Sequence, residues 1–339
     1  MDALSPSWPG AVGVSGGGDS AALMLLLGHW AKAKGLPPPT VLSVDHGLRP
    51  GSHKEAERVR KLAACAGLAA HVLSWKGAKP DSDIEAEARA ARYLLMGRWC
   101  AGHRCPALYV AHTLEDQAET FLLRLGRGSG LDGLAGMQSI SPLPIPELSQ
   151  IRLVRPLLDV RRDELREFLK AQRVEWSDDP MNADPRFGRA RVRAAWPALQ
   201  QLGLLPERVA GAAKHLARAR AALEAMTEDF LRRGARFDDN GASLDPLRLK
   251  MLPREVGLRA LAAVLSRVSG EEYRPRFDSL ERLFDAILSG SLAGRGTLHG
   301  CIVAPALQRE QMFGSATLAI SRETRGKMKE PAAPPPRRT

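Results

Sequence analysis

The chain has 339 residues, enough for two domains of ordinary size and at least one sizeable core. Its composition, 44% hydrophobic and 26% charged, is that of a globular protein, and its longest apolar run, AALMLLL, is seven residues against the roughly 20 that span a bilayer. With 49 Lys and Arg against 38 Asp and Glu, the formal charge is +11, which points to a polyanionic partner, nucleic acid first, and says nothing about fold.

The opening MDALSPSWPG has no basic stretch leading into an apolar core, so the expectation is a soluble, cytoplasmic protein with no membrane partner. Cys65, Cys100, Cys105 and Cys301 are too few and too unevenly placed for a disulfide framework and form no Cys-x-x-Cys pair, so they read as reduced thiols.

In chain order, residues 11–14 read as a buried strand, 19–34 as a helix, 40–45 as a strand and 52–66 as a helix. Residues 69–74 follow as a strand, 83–100 as a helix, 107–111 as a strand and 115–125 as a helix. Such alternation predicts an α/β domain with a Rossmann-like parallel sheet covered on both faces, whose ligands bind beyond the carboxyl ends of the strands. Ser15 to Ser20, Asp45 to Arg49 and His112 to Glu119 should therefore converge on one edge.

Residues 139–150, SISPLPIPELSQ, carry three prolines and no periodicity, and read as an exposed loop. A short extended piece and a helix from about Asp159 or Arg161 follow, and then residues 182–193 lose apolar periodicity and gain arginine. A long alanine-rich helix begins near 206, and residues 243–320 look like a small α+β unit. The expected division is a catalytic domain over 1–200, a linker helix over 201–235, a small C-terminal domain over 236–321 and a disordered basic tail over 322–339.

The segment VGVSGGGDSAAL, 12–23, carries the most specific chemistry. Glycines let backbone N–H groups turn toward one centre, and the helix that follows adds its N-terminal dipole, which together suit a phosphate or pyrophosphate held by Ser15, Gly16, Gly17, Gly18, Asp19 and Ser20. Asp19 would repel an anion placed directly on it, so its reading is an Mg²⁺ ligand bridging to phosphate. The loop has neither the lysine of GxxxxGK[ST] nor the spacing of a dinucleotide turn.

SGGxDS after a first strand resembles the PP-loop of the N-type ATP pyrophosphatases, an adenine nucleotide alpha hydrolase-like fold that cleaves ATP between its α and β phosphates. Three more segments are similar to the tRNA(Ile)-lysidine synthase family within that superfamily: VDHGLRPGSHKEAERV (44–59), AHTLEDQAETFLLRLGRGSGLDGLAGM (111–137) and VRPLLDVRRDELREFLKAQRVEWSDDPMNADPRFGRARVR (154–193). Thr113, Glu115, Met181 and Ala190 depart from the family's usual histidine, aspartate, serine and asparagine.

That resemblance implies ATP-dependent ligation of free L-lysine to C2 of the wobble cytidine in the CAU anticodon of isoleucine tRNA. The cytidine is adenylated first, and AMP and pyrophosphate are released. ATP and Mg²⁺ are the implied cofactors, and the small C-terminal domain is implied to bind tRNA.

His112, Glu115, Asp116 and Glu119 suit the lysine half, because 115 and 119 are four apart on a helix with 116 alongside. Carboxylates there hold a cationic substrate, bind Mg²⁺ or accept the amine proton; acids at a solvated helix N-terminus are the plainer account. Arg92 recurs with Glu85 and Arg89 at helical spacing, and surface pairing explains it as well as a role facing phosphate or the target nucleotide, toward which the resemblance tips it. His46 could flank the nucleotide or be a satisfied loop histidine. Arg186, Arg189, Arg191 and Arg193 open a run, 186–220, of eight Lys or Arg against Glu207, which suits tRNA backbone contacts. Phe187 and Trp176 are the stacking candidates, Trp176 being placed in the core by preference.

Overall fold

A computed structural model describes residues 7–48, 51–77, 79, 83–177, 186, 188–271, 273–292, 294–307, 312–313 and 317–323. It divides into two compact units, residues up to 217 and residues from 218 onward.

The first unit begins with β1 (Gly10–Gly13), α1 (Gly18–Ala33), β2 (Thr40–Asp45), α2 (Ser52–Cys65) and β3 (Ala70–Ser74). It continues with α3 (Ile84–Gly102), β4 (Ala107–Tyr109), α4 (Leu114–Leu125), the short α5 (Leu131–Leu134), β5 (Ile140–Pro142), β6 (Arg152–Val154), α6 (Arg162–Ala171) and α7 (Gly188–Gln201). The sheet order is β3-β2-β1-β4-β6-β5. All neighbours are parallel except β5, which pairs antiparallel to β6 at the edge. Strand order therefore reverses at β1, where β2 lies on one side and β4 on the other, the crevice at which open α/β sheets bind ligands.

Helices cover both faces because the central strands are apolar on both. Val12, Val41 and Tyr109 pack with Leu23, Met24 and Leu27 of α1 on one face. Ala11, Leu42 and Leu108 pack with Tyr93, Met96 and Cys100 of α3 on the other.

The segment read as an exposed loop at 139–150 is a correction. It contains β5 and a 3-10 turn at Pro146–Leu148, and Leu143, Leu148 and Ile151 are buried in the α3-side core. Its prolines hid the strand, yet an edge strand tolerates proline because one side of its backbone needs no ladder partner.

α8 (Pro206–Gly234) carries the boundary between the units. The second unit has β7 (Ala235–Asp238), β8 (Gly241–Leu244), α9 (Pro246–Lys250), α10 (Arg254–Ser269), α11 (Phe277–Ser289), β9 (Gly296–Leu298), β10 (Cys301–Pro305) and β11 (Leu318–Arg322). Its strands form one antiparallel sheet, β7-β8-β11-β10-β9. Leu258, Leu261 and Leu265 of α10 and Phe284 of α11 pack with Leu244, Val303 and Ile320 of that sheet.

The sequence expectation of an α/β domain followed by a smaller α+β unit matches this architecture. The four cysteines are free, Cys65 exposed and the other three buried. No helix among the described residues is long and apolar enough to cross a membrane. Most of the expected tail, residues 324–339, lies outside the described residues, as do Arg49, Met181 and Phe187 and the side chain of Glu85.

Candidate active site

The carboxyl ends of β1, β2 and β4 open into a cavity of about 740 Å³. Its wall includes the whole loop Ser15–Ser20, His46 after β2, Arg89 and Arg92 of α3, and His112 and Asp116 after β4. The three segments expected to converge on one edge do so, with Arg49 outside the described residues.

Local geometry shapes the loop for an anion. Gly16 has φ +93°, a conformation that side chains avoid, and Gly17 begins α1 without any side-chain cap. A Cβ on Gly18 would press on the Trp176 ring at 3.2 Å, so this glycine lets Trp176 close over the loop. Trp176 thus lines the cavity as well as packing on the core. The Ser20 hydroxyl donates to Gly17 O at 2.9 Å and accepts from Ser15 N at 3.2 Å, which braces the turn from within.

Across the cavity, α4 starts at Thr113 with a reciprocal cap. Thr113 N donates to Asp116 Oδ2 at 2.9 Å, while Asp116 N donates to Thr113 Oγ1 at 3.4 Å. Thr113, a departure from the family pattern, is fully buried and serves here as the helix cap.

Of the three acids read as ammonium ligands, only Asp116 lines the cavity. Glu115 turns to α6, where both its oxygens accept from Arg162 N at 3.1 and 3.0 Å. Glu119 is 2% exposed and gripped by Arg193, with Nε to Oε1 at 2.7 Å and Nη2 to Oε2 at 3.1 Å. Arg189 and Arg193, one turn apart on α7, lie on the cavity wall and approach Asp116 Oδ1 at 3.7 and 3.8 Å. Arg186 and Arg191 are exposed, and Arg191 donates to Arg186 O at 3.0 Å.

The residue that sequence reasoning did not single out is Arg162. Its Nε donates to Asp19 Oδ2 at 3.1 Å, its Nη2 to Asp116 Oδ1 at 3.2 Å, and its Nη1 lies 3.7 Å from Glu119 Oε1. A pairing across 143 residues leaves no periodic trace. One local signal exists: Arg161 and Arg162 open α6, an end where the helix dipole disfavours cations.

These contacts set the charges. Burial works against ionisation of Asp116, but Arg162, Arg189 and the Thr113 N–H outweigh it and hold its carboxyl below the usual carboxylate range. Burial, with Asp116 nearby, pushes Asp19 up despite the opposing pull of Arg162. His112 is half-buried on the cavity wall, its Nδ1 is itself buried with no hydrogen-bond partner among the described residues, and the desolvation holds its imidazole down at about 3. It is a neutral hydrogen-bonding group, poorly suited to take up a proton near neutrality.

Comparison with known proteins agrees with this architecture. Residues 8–199 match an ATP-binding family described as a PP-loop domain. The tRNA(Ile)-lysidine synthase of Methylobacterium nodulans is 42% identical over 309 residues, covering 87% of this chain and 88% of that protein. The tRNA(Ile)-lysidine synthase of Ruegeria pomeroyi is 38% identical over 292 residues, covering 86% and 68%. A more distant likeness, 19% identical with a TM-score of 0.48 and covering 63% of this chain and 71% of the other, is to the U34-tRNA thiolase NcsA of Methanococcus maripaludis. With a PP-loop domain over more than half its length and lysidine synthase relatives matching most of the chain, this protein belongs to the tRNA(Ile)-lysidine synthase family.

Proposed function

We propose that the cavity joins the ε-amine of free L-lysine to C2 of the wobble cytidine of isoleucine tRNA with a CAU anticodon, at the expense of ATP. The cytidine is activated as an adenylate, with release of pyrophosphate, and AMP leaves when the amine attacks. The observation that carries this reading is a single cavity lined by both the phosphate-type loop Ser15–Ser20 and the amine-type acid Asp116.

The other wall residues fit both halves. Arg89, Arg92, Arg162, Arg166, Arg189 and Arg193 face Asp19, Glu55 and Asp116, so arginines outnumber acids two to one and suit a polyphosphate beside a tRNA backbone. The same guanidinium groups favour the neutral amine over the ammonium, which eases the conflict between holding lysine and deprotonating it. Asp116 then serves as the acceptor that orients the amine, and His112 offers Nδ1 to a polar atom of the bound nucleotide.

Asp19 fits an Mg²⁺ that arrives on phosphates. It is a hard oxygen donor beside the uncapped start of α1, and such a metal needs only one or two carboxylates from the protein. Among the described residues no cluster of three His, Cys, Asp or Glu forms a closed metal cage. When bound, the ion would offset charge on the leaving pyrophosphate. None of the four cysteines lines the cavity, which disfavours a sulfur-transfer chemistry carried by a cysteine there. Arg186, Arg191 and the second unit are proposed as tRNA contacts.

The test is AMP production from ATP in the presence of isoleucine tRNA and lysine. AMP should appear only with the CAU-anticodon tRNA present; AMP release indifferent to tRNA would contradict the assignment.

A further inference from the structure

Arg162 touches every acid assigned to either half of the reaction. Its guanidinium contacts Asp19, Asp116 and Glu119, and its backbone N–H holds Glu115. The side chain is 20% exposed, lies on the cavity wall, and links Asp19, at the end of the phosphate loop, directly to Asp116 of α4.

The available acidic oxygens make the consequence concrete. Both oxygens of Glu115 accept from Arg162 N, and both oxygens of Glu119 accept from Arg193. Asp116 Oδ2 is committed to the cap of α4 through Thr113 N and Oγ1, at 2.9 and 3.2 Å. Asp116 Oδ1 remains as the cavity-side acceptor of the amine-type acids, and Arg162 Nη2 sits on it at 3.2 Å. A substrate amine that docks on Asp116 meets this guanidinium first.

We propose that Arg162 is a positioning residue that serves as a resident counter-cation: it holds Asp19 and Asp116 together in the amine-free protein, and the substrate amine takes its place on Asp116 Oδ1. This rests on the reading of the cavity as a lysine-transfer site. Arg162 remains tied to Asp19 through Nε when Nη2 is displaced, so occupancy of the amine site is felt at the phosphate loop. The planar fork is required for that bridge, because a lysine ammonium is a point charge that cannot span carboxylates on two elements in the same way.

The experiment compares the full-length protein with Arg162→Gln and Arg162→Lys, using CAU-anticodon isoleucine tRNA, ATP and labelled lysine, with melting temperature as the folding control. Removing the competing cation should lower the KM for lysine about tenfold in Arg162→Gln, the scale of one partly screened charge pair, while kcat also falls because Asp19 loses its anchor. Arg162→Lys should lie between the two, with KM lowered about threefold, and carries the test alone if the glutamine variant does not fold. An Arg162 that merely supports the fold would give a lower kcat and melting temperature with KM unchanged or raised, and that result overturns the inference while leaving the function intact. If the wild-type protein transfers no lysine, the functional reading falls and this inference falls with it.

Discussion

Asp19 shows what a single residue can disclose before any coordinates exist. Its place directly after three glycines and at the start of a helix marks it as an acid beside a phosphate, and the structure puts it on the cavity wall. What no local pattern shows is its salt bridge to Arg162 at 3.1 Å, because the two meet only when α6 docks beside α1. Asp19→Asn should abolish tRNA-dependent exchange between ATP and pyrophosphate while changing tRNA affinity by less than about twofold. Equal loss of both would point to a disrupted fold instead.

His112 makes a second prediction at this scale. Burial depresses its folded value to about 3 from the ordinary 6.5, so the folded protein disfavours the charged ring. The resulting stability is present above pH 6.5 and is lost as pH falls from 6.5 toward 3, at about 1.4 kcal/mol per unit. Thermal melts at pH 7 and pH 5 should therefore show a drop of several degrees in the wild type and a smaller one in His112→Gln. An identical drop in both would assign the acid sensitivity to other groups.

Helices and strands with clean periodicity were legible, and those with mixed signals were not. α1, β2 and α4 fall within one residue of their expected limits, because their apolar runs match the period of the element they form. β5 was hidden by Pro142 and Pro144, and α7 by its run of arginines and by Pro197 within it. The α7 arginines make sense only in three dimensions, where 189 and 193 share the face turned to the acids of α4.

The α4 start is the element on which the amine side depends. Thr113→Ala removes the hydroxyl of the capping box and should cost about 1 kcal/mol of stability. It should also raise the lysine KM, since Asp116 Oδ2 loses one of its two tethers. Gly97 of α3 tests the buried segment after β5, because a Cβ there would collide with Leu143 Cδ2 and lie 2.9 Å from Leu148 Cδ1. Gly97→Ala should destabilise the protein by about 1–3 kcal/mol, read as a lower melting temperature, whereas an exposed loop would accept the change without loss.

On the scale of the whole molecule, the excess of positive charge is the property most directly readable from composition. A formal charge of +11 and six arginines lining the cavity predict that tRNA affinity falls steeply and linearly on logarithmic axes as salt rises. Filter binding at several salt concentrations checks this, and a flat response would remove the electrostatic argument. The two-unit organisation is visible in the shift from strand-helix alternation to an alanine-rich helix, whereas β7 (ARFD) and β8 (GASL) lack the apolar run that marks β1 and β4. The antiparallel sheet of the second unit is held by pairings such as Val303 opposite Ile320, which a linear reading does not reveal.

The most direct measurement is the mass of the anticodon fragment of isoleucine tRNA after incubation with the protein, ATP and lysine. The CAU-containing fragment should gain the mass of one lysine less one water, and only when ATP is cleaved to AMP and pyrophosphate, the C2 oxygen of the cytidine leaving in AMP. An unchanged fragment in the presence of all three substrates would contradict the assignment of this cavity to lysine transfer.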